Sequence, residues 1–358
     1  MSRDYKITVM PGDGIGPEVT AEAIKVLEAT GLVFEFRHCN VGGMAYIQTG
    51  KPLPDYAREA CEEADAVLFG AVGHDYAPYG IPRKVLIYLR IEKNAYANVR
   101  PLKLYPGVYP PDDHRSQQDV NLVIIRDNAE GFALEHEGFL WEDRGIDKRV
   151  ITQAGAQRII LFAVTYAMKH GRRKITCIDQ SNWLFSDKLF RNAFNLVAER
   201  SPRLEADCVS VDVAAMMQAR DPRSFDVIVT PDIYGDILSG FVIGQIGGVG
   251  LAPSACIGND FAFFEPIHGT AWDLAGKGVA NPIASILSAR LMLEWLGREE
   301  EAESIDNAVR SVLSESKIRT FDLGGSSSSS QMGDAIAALV GSDPALDAQD
   351  QKTVHVDR

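Results

Sequence analysis

VMPGDGIGPEVTAEAIKVL, residues 9–27, is a glycine-rich turn between an apolar strand-like run and an amphipathic helical pattern. A dinucleotide-binding Rossmann fold has the spacing G-x-G-x-x-G here, and its last glycine lets the helix pack closely on the sheet. In this chain the spacing is G-x-G-x-G-P, because Pro17 follows Gly16 directly. Pro17 removes an N–H from the helix start, and Glu18 adds a negative charge where a pyrophosphate would bind. The spacing therefore argues against a Rossmann site, with a purely structural turn as the alternative.

Composition narrows the class of protein. A chain of 358 residues has room for one large domain or two medium domains. The formal net charge of −13 speaks against a nucleic-acid-binding surface, because no basic cluster is available to neutralise phosphates. The first residues predict no signal peptide, and no apolar run approaches the roughly 18 residues that a membrane span needs. The cysteines are scattered, odd in number and without a C-x-x-C pair, which predicts reduced thiols and a cytoplasmic protein: Cys39, Cys61, Cys177, Cys208 and Cys256.

Strand and helix patterns alternate in the first hundred residues, which predicts a parallel sheet there. Strand-like runs are at 5–10, 32–38, 64–73, 121–128, 174–179 and 225–230, and helical patterns are at 17–30, 54–63, 153–171 and 281–297. The serine run at 326–330 is a candidate linker, and the pattern at 331–341 predicts a further helix. Residues 346–358 carry little apolar surface and are expected to form a flexible tail.

Six stretches follow one another along the chain: PGDGIGPE (11–18), LRIEKNAYANVRP (89–101), IIRDNAEG (124–131), YGDILSG (234–240), EPIHGTAWDLAGKGVANP (265–282) and DLGGSSSSSQMGDAI (322–336). Together they resemble the β-decarboxylating dehydrogenases, which include isocitrate, homoisocitrate and 3-isopropylmalate dehydrogenases. The resemblance implies an α/β fold of the isopropylmalate dehydrogenase type, with two domains, mixed sheets, flanking helices and a non-Rossmann NAD site. It also implies a large cofactor domain of 1–98 with 250–345, a small substrate domain of 99–249, and a homodimer that pairs through the small domain.

The resemblance assigns substrate binding to three arginines, Arg90, Arg100 and Arg126. A 2-hydroxy acid with a further carboxylate presents two anions, and a guanidinium group binds a carboxylate through two parallel hydrogen bonds. Leu86, one helical turn before Arg90, resembles the apolar pocket for the substituent of the substrate. Arg83 is a candidate contact for an anionic substituent, with a solvated helix face as the alternative.

The resemblance also supplies a cofactor loop, with contacts expected from Glu265, His268, Gly269, Asp273 and Asn281, and from Ile15 in the opening turn. An acidic residue at the adenosine ribose accepts hydrogen bonds from its hydroxyls and repels a 2′-phosphate. Asp273 followed by Leu274 therefore favours NAD over NADP. The family usually has proline where this chain has Trp272, so the packing of the adenine is expected to differ.

Three catalytic positions depart from the family pattern. Gln180 stands in place of a lysine that helps to remove the hydroxyl proton, and Ala133 stands in place of a tyrosine that protonates the enol. Asp212 and Asp236 match two of the three aspartates that hold a divalent metal, but Gly240 stands in place of the third. Asp232 occupies a position that is usually asparagine and is a candidate replacement group. A site for Mg²⁺ or Mn²⁺ is therefore expected to be weakened.

Two functions remain open at this point. The first is an NAD-dependent dehydrogenase that acts on a malate-like 2-hydroxy acid, with altered or reduced decarboxylation, because hydride transfer needs only the alignment of substrate and nicotinamide. The second is a non-catalytic ligand-binding or regulatory homologue that keeps the cleft and the dimer surface. An unrelated phosphate-binding protein is disfavoured by the five matches that follow the glycine turn. NADH formation from malate-like acids distinguishes the first two.

Overall fold

The computed structural model of the chain describes residues 4–74, 77–78, 80–132, 138–343 and 346. The strands are β1 Tyr5–Gly12, β2 Phe34–His38, β3 Ala66–Ala71, β4 Ala97–Lys103, β5 Asn121–Asp127, β6 Gly138–Leu140, β7 Gly145–Asp147, β8 Lys174–Asp179, β9 Glu205–Ser210, β10 Val227–Thr230, β11 Pro253–Ile257 and β12 Ala262–Pro266. The helices are α1 Gly16–Glu28, α2 Gly43–Thr49, α3 Asp55–Glu63, α4 Arg83–Ile87, α5 Gln153–Lys169, α6 Phe185–Ala198, α7 Val211–Arg220, α8 Asp232–Gln245, α9 Ile283–Trp295, α10 Glu299–Glu315 and α11 Ser329–Val340. None of these helices is both long and apolar enough to cross a bilayer.

Ten strands form one mixed sheet in the order β2-β1-β3-β12-β11-β4-β5-β10-β8-β9, and β6 pairs with β7 in a separate ribbon. The outer pairs of the large sheet are parallel, as the alternation of strands and helices predicts. The pairs β12–β11, β11–β4 and β4–β5 in the centre are antiparallel. The parallel arrangement predicted for the first hundred residues is confirmed by β1, β2 and β3, and the antiparallel centre confirms the mixed sheet that the family resemblance implies.

The side chains of the central strands alternate between two apolar layers. Val99 of β4 and Ile125 of β5 pack in the layer that contains α5 and α9. Leu102 and Ile124, on the same two strands, pack in the layer that contains α7 and α8. Each central strand therefore presents one face to each layer. Two polar residues that are adjacent in such a strand lie on opposite sides of the sheet.

Protein contacts hold the opening glycine turn in place. Gly14 has a φ of +61°, and a Cβ there would lie 1.9 Å from the carbonyl oxygen of Thr270. This close approach lets the N–H of Ile15 donate to that carbonyl at 2.8 Å. The carboxylate of Asp13 accepts hydrogen bonds from three backbone N–H groups, those of Gly43, Met44 and Gly73, at 2.7–2.9 Å. The turn thus joins the first strand to the candidate cofactor loop.

The C-terminal prediction needs one correction. The serine run is not a linker, because Ser328 caps α11: its hydroxyl accepts from the N–H of Gln331, whose side chain accepts from the N–H of Ser328. The helix predicted at 331–341 is present and begins at Ser329. Leu346 packs against the core, whereas 347–358 of the predicted tail lie outside the described residues.

Candidate active site

Three separate elements bring the predicted substrate arginines to one place. Arg90 lies on a π-helical turn, Tyr88–Glu92, that follows α4. Arg100 is in β4 and Arg126 is near the end of β5, which is paired antiparallel to β4. The side chains of Arg100 and Arg126 point to the face covered by α8, where both contact Asp236. The pairing of β4 with β5 therefore brings together Arg100 and Arg126, which are 26 residues apart in the sequence.

Helix α8 supplies two carboxylates to these arginines. Asp236 Oδ1 lies 2.8 Å from Arg100 Nη1, and its other oxygen contacts Arg126. Asp232 Oδ1 lies 3.1 Å from Arg126 Nη2. Gly235 makes this close approach possible, because a Cβ there would lie 2.5 Å from the Cβ of Arg126. The predicted catalytic candidates Asp232 and Asp236 are therefore partners of the substrate arginines.

A buried polar network, which the sequence analysis missed, orients the arginines from behind. Asn98 Oδ1 accepts from Arg100 Nε at 2.6 Å, and Asn128 Oδ1 accepts from Arg126 Nη2 at 2.9 Å. Both asparagines also donate to Cys256 Sγ, at 2.9 and 3.2 Å. The spacing in the sequence could have indicated this network, because two residues that are two positions apart in a strand lie on the same face of the sheet.

Arg90 joins the network through Glu265, which had been expected at the cofactor. Arg90 Nη2 lies 2.9 Å from Glu265 Oε1, and the Cys256 thiol donates to the same oxygen at 3.5 Å. Arg90 Nε is shielded from solvent and has no hydrogen-bond partner among the described residues. A buried N–H without a partner is costly, so this atom is a position where a bound acceptor would add stability.

Burial and neighbouring charges shift the pKa values of Arg100, Asp232 and Asp236. Burial and the neighbouring Arg126 lower the pKa of Arg100 to about 10. Burial raises the pKa of Asp232, although Arg126 opposes the shift. Burial acts in the same direction on Asp236, but Arg126 and Arg100 together hold its pKa below the usual value. Asp236 is therefore the more firmly ionised of the two aspartates.

A cavity of about 160 Å³ opens between α4, the π-helical turn and α8. Its lining includes two of the three arginines, Arg90 and Arg126, and both acidic residues of α8. The predicted Leu86 and Arg83 also line it, so Arg83 does not lie on a purely solvated face. The cavity thus combines a cationic wall with an apolar wall, as a carboxylic acid with an apolar substituent requires.

The candidate cofactor loop fits a nucleotide at some positions and is occupied by protein contacts at others. His268 Nε2 is shielded and has no hydrogen-bond partner among the described residues, and burial lowers the pKa of the ring. Asp273 is exposed, and a Cβ at Gly269 would meet open space. Asn281 is held by Asp322, its Nδ2 donating at 3.0 Å. The free Nε2 and the open loop surface therefore fit NAD.

Two further contacts shape the same loop. The buried Ile15 packs against Val19 and Ala280 beneath the loop. Trp272 Nε1 donates to the carbonyl of Gly73 at 2.8 Å, and its ring meets His74 edge-on at 4.6 Å. The unusual tryptophan thus ties the cofactor loop to the segment after β3.

The predicted metal ligands contact other groups of the protein. Among the described residues, no group of three or more histidine, cysteine or acidic side chains is placed to hold a metal ion. Asp236 is engaged by two arginines, and the pKa of Asp212 is lowered by its hydrogen bond with Ser210. Gly240 is exposed and offers no ligand. Within the described part of the chain, Asp212 and Asp236 are therefore not joined by a third ligand, and a site for Mg²⁺ or Mn²⁺ stays a prediction.

The surroundings of Gln180 contain a second cluster that the sequence did not indicate. The N–H of Gln180 donates to the fully buried Asp187 at 2.8 Å. Asp187 also accepts from the Tyr234 hydroxyl at 2.8 Å and from Arg149 at 2.5 Å. Burial and Asp187 raise the pKa of Tyr234, which keeps its hydroxyl protonated. The predicted catalytic position Ala133 lies outside the described residues.

Comparison with known proteins gives the family. The isocitrate/isopropylmalate dehydrogenase family model matches residues 6–336. The chain belongs to this family. It is 42% identical to a 3-isopropylmalate/3-methylmalate dehydrogenase of Methanocaldococcus jannaschii, over 94% of this chain and 99% of the relative. It is 41% identical to a homoisocitrate dehydrogenase of the same organism, over 92% of this chain and 96% of the relative.

Solved structures confirm the fold class. The isocitrate dehydrogenase of Methylococcus capsulatus superposes with a TM-score of 0.87 at 37% identity, covering 94% of this chain and 99% of the other. A β-decarboxylating dehydrogenase of Thermococcus kodakarensis gives 0.80 at 34% identity, covering 94% and 96%. The chain therefore has the isocitrate/isopropylmalate dehydrogenase-like α/β fold and is assigned to the oxidoreductases.

Proposed function

We propose that the protein is an NAD-dependent dehydrogenase of a malate-like 2-hydroxy acid. The observation that carries this proposal is the convergence of Arg90 and Arg126 on the 160 Å³ cavity, with Arg100 behind them. The unpartnered Nε of Arg90 offers a donor to a substrate carboxylate. The family generally uses NAD, and the open loop around His268 supports its use here.

The residues act by binding and orienting the acid. One carboxylate meets Arg90, and a second meets Arg126 in competition with Asp232 and Asp236. Leu86 contacts the substituent, which excludes water from that side of the cavity. A bound NAD would supply the acceptor for the hydride from the carbon that carries the hydroxyl, and the carboxylate of Asp232, the candidate replacement group in the cavity lining, would accept the hydroxyl proton. The arginines contribute by holding that carbon in one orientation.

We propose that decarboxylation is reduced or altered in comparison with the family. An amide at Gln180 cannot act as a base, and Gly240 leaves the acidic set on α8 without its third carboxylate. These losses are also what favour the second candidate, a non-catalytic ligand-binding or regulatory homologue. The retained NAD loop supports the dehydrogenase, because a subunit that transfers no hydride has less use for it.

We also propose a homodimer and a division into a domain of 1–98 with 250–345 and a domain of 99–249. Large apolar side chains lie exposed within the second of these, on the β6–β7 ribbon, α6 and α8. They include Leu140, Phe185 and Ile237, which are 90%, 91% and 61% exposed. Several large apolar side chains exposed within one proposed domain favour a subunit interface there. Sedimentation equilibrium tests the dimer, and a monomer at micromolar concentration would contradict it.

The deciding experiment measures NADH formation by the purified protein with malate, isocitrate, 3-isopropylmalate and related 2-hydroxy acids. We expect NADH from at least one acid, with little release of CO₂. Acids that bind in calorimetry without any NADH formation would reject the dehydrogenase and favour the regulatory homologue. Measuring both products separates hydride transfer from decarboxylation.

Cofactor choice provides a separate prediction. Asp273→Arg together with Leu274→Tyr should shift the preference from NAD toward NADP, because the carboxylate that repels a 2′-phosphate is replaced by a cation. Calorimetric titration with both cofactors measures the shift, and Lys277→Arg on the same loop is the control. Equal affinity of the parent for NAD and NADP would contradict the assignment of Asp273.

A further inference from the structure

A second recess lies on the opposite face of the sheet from the arginine cavity. We call it the back cavity: two adjoining spaces of about 200 and 190 Å³ between β4, α5 and α9, which share Tyr166, His170 and Glu294 in their linings. Both spaces are larger than the candidate substrate cavity. Nothing in the proposed dehydrogenation uses them.

One half of the back cavity is polar. Lys103, Arg172 and Arg290 line it, and Lys103 and Arg172 are paired with Asp306 and Asp226, each at 2.9 Å. Arg290 pairs with Glu294 at 2.8 Å through Nη2. Its Nε is shielded and has no hydrogen-bond partner among the described residues. The unpartnered guanidinium N–H favours a bound acceptor at this end, and an anionic acceptor makes the stronger, charge-assisted bond.

The other half is apolar and partly aromatic. Val99, Leu291 and Trp295 contribute to its lining. Where the halves meet, the rings of Tyr166 and His170 stack with centroids 4.1 Å apart. Burial and the nearby cations lower the pKa of His170 to about 4, so the ring is neutral at physiological pH. Lys169 and Glu294 also belong to this lining, but most of the lining residues are apolar or aromatic, which suits a hydrocarbon chain.

We propose that the back cavity binds a small monocarboxylate with an apolar tail. The carboxylate accepts from the guanidinium of Arg290, and the tail lies between Tyr166 and Leu291. A neutral amide can also accept from the Arg290 N–H, but it lacks the charge that strengthens the bond to a guanidinium group. The ligand class therefore differs from that of the arginine cavity, which accepts two anions.

The position of the back cavity connects it to the substrate site through two strands. Val99 and Lys103 of β4 line the back cavity, while Arg100 points to the other face. On β11, Ala255 faces the back cavity, and Cys256 faces the polar network. A bound monocarboxylate therefore contacts the reverse side of the strands that carry the substrate network.

The test uses 4-methylpentanoate as the anionic probe and 4-methylpentanamide as its neutral match. Isothermal titration of the full chain, without cofactor or hydroxy acid, should show saturable binding of the anion and at least about tenfold weaker binding of the amide. Because no turnover is measured, the result is independent of the proposed dehydrogenase activity. Equal affinity for both probes, or no saturable binding of the anion, would overturn the proposal.

Two variants locate the binding. Thr165→Trp fills the apolar half from an exposed position on α5, and Met168→Trp, also exposed on α5 but outside the lining, is its control. Thr165→Trp and Arg290→Met should each weaken binding of the anion by about tenfold or more, while Met168→Trp leaves it unchanged. Arg100→Ala should also leave it unchanged. Loss with Arg100→Ala but not with Thr165→Trp would place the anion in the substrate cavity and overturn the proposal.

Discussion

Arg100 is a buried cation whose donors are satisfied on two sides. It is 6% exposed and bonds to Asn98, to Ser239 at 3.0 Å and to Asp236. Such a group is stable in a low-dielectric environment only because its partners compensate for the lost hydration. The same partners also limit its rotamers, so the guanidinium is oriented before any substrate arrives.

The substrate role that the family resemblance assigns to Arg100 predicts that Arg100→Ala weakens binding of a malate-like dicarboxylate by about 1.5–3 kcal/mol, the value of one charge-assisted contact. Calorimetric titration measures the change, and thermal unfolding reports whether the fold is retained. Arg200→Ala, at an exposed position of the same residue type, should bind like the parent. Unchanged affinity in a folded Arg100→Ala protein would show that this arginine is structural.

Asp127 gives a pH-dependent prediction. Burial raises its pKa from 3.8 to about 6, against the opposing hydrogen bond from the N–H of Ala129. Between about pH 4 and pH 6 the folded chain therefore holds a proton that the unfolded chain has released. The contribution of this group to the unfolding free energy falls as the pH rises through that window, by about 3 kcal/mol at most.

Asp127→Asn should remove that contribution. The variant is expected to resemble the parent near pH 4 and to exceed its unfolding free energy above pH 6, since the amide oxygen can still accept from Ala129. Urea unfolding at several pH values measures the difference, with the exposed Asp112→Asn as a control that changes little. A difference that is independent of pH would contradict the role of Asp127 protonation.

At the scale of the element, α11 depends on its capping box. Ser328 and Gln331 satisfy one backbone donor each, which an uncapped helix start would expose. Ser328→Ala should lower the unfolding free energy by about 0.5–2 kcal/mol. Ser326→Ala, two residues earlier and exposed, should change it by less than about 0.5 kcal/mol. Equal effects in thermal or urea unfolding would show that the cap contributes nothing.

Helix α8 shows how one element serves several partners. Asp232 and Asp236 are four residues apart and lie on one face, so both reach Arg126. Gly240 extends that face by a further turn, and a Cβ there would meet only open space. A third carboxylate at this position is therefore sterically possible.

At the scale of the whole molecule, restoring the missing groups tests whether the cleft is otherwise intact. Gln180→Lys, Ala133→Tyr and Gly240→Asp together should raise decarboxylation of isocitrate or 3-isopropylmalate above the level of the parent. General acid–base groups contribute typically about 10²–10⁴-fold each, although losses within one site do not add. The matched control variant keeps Gln180→Lys and Ala133→Tyr but carries Gly244→Asp in place of Gly240→Asp. Gly244 is also exposed on α8, and a Cβ there would meet open space.

Two outcomes of the restoration experiment would contradict the prediction. No gain in a variant that folds and binds NAD would mean that the cleft is shaped for another ligand. Strong decarboxylation by the unmodified protein would show that other groups supply the proton transfer. Mn²⁺ titration of the same variants reports separately whether Gly240→Asp creates a metal ligand.

The sequence by itself determined the family, the non-Rossmann spacing of the opening turn, most outer strands and the positions of the three arginines. These depend on local spacing, which is read directly from neighbouring residues. Only the tertiary structure decided that Arg90 pairs with Glu265, 175 residues away, and that two arginines share Asp236. The antiparallel centre and the back cavity also depend on how distant strands and helices pack, and no local periodicity encodes those contacts.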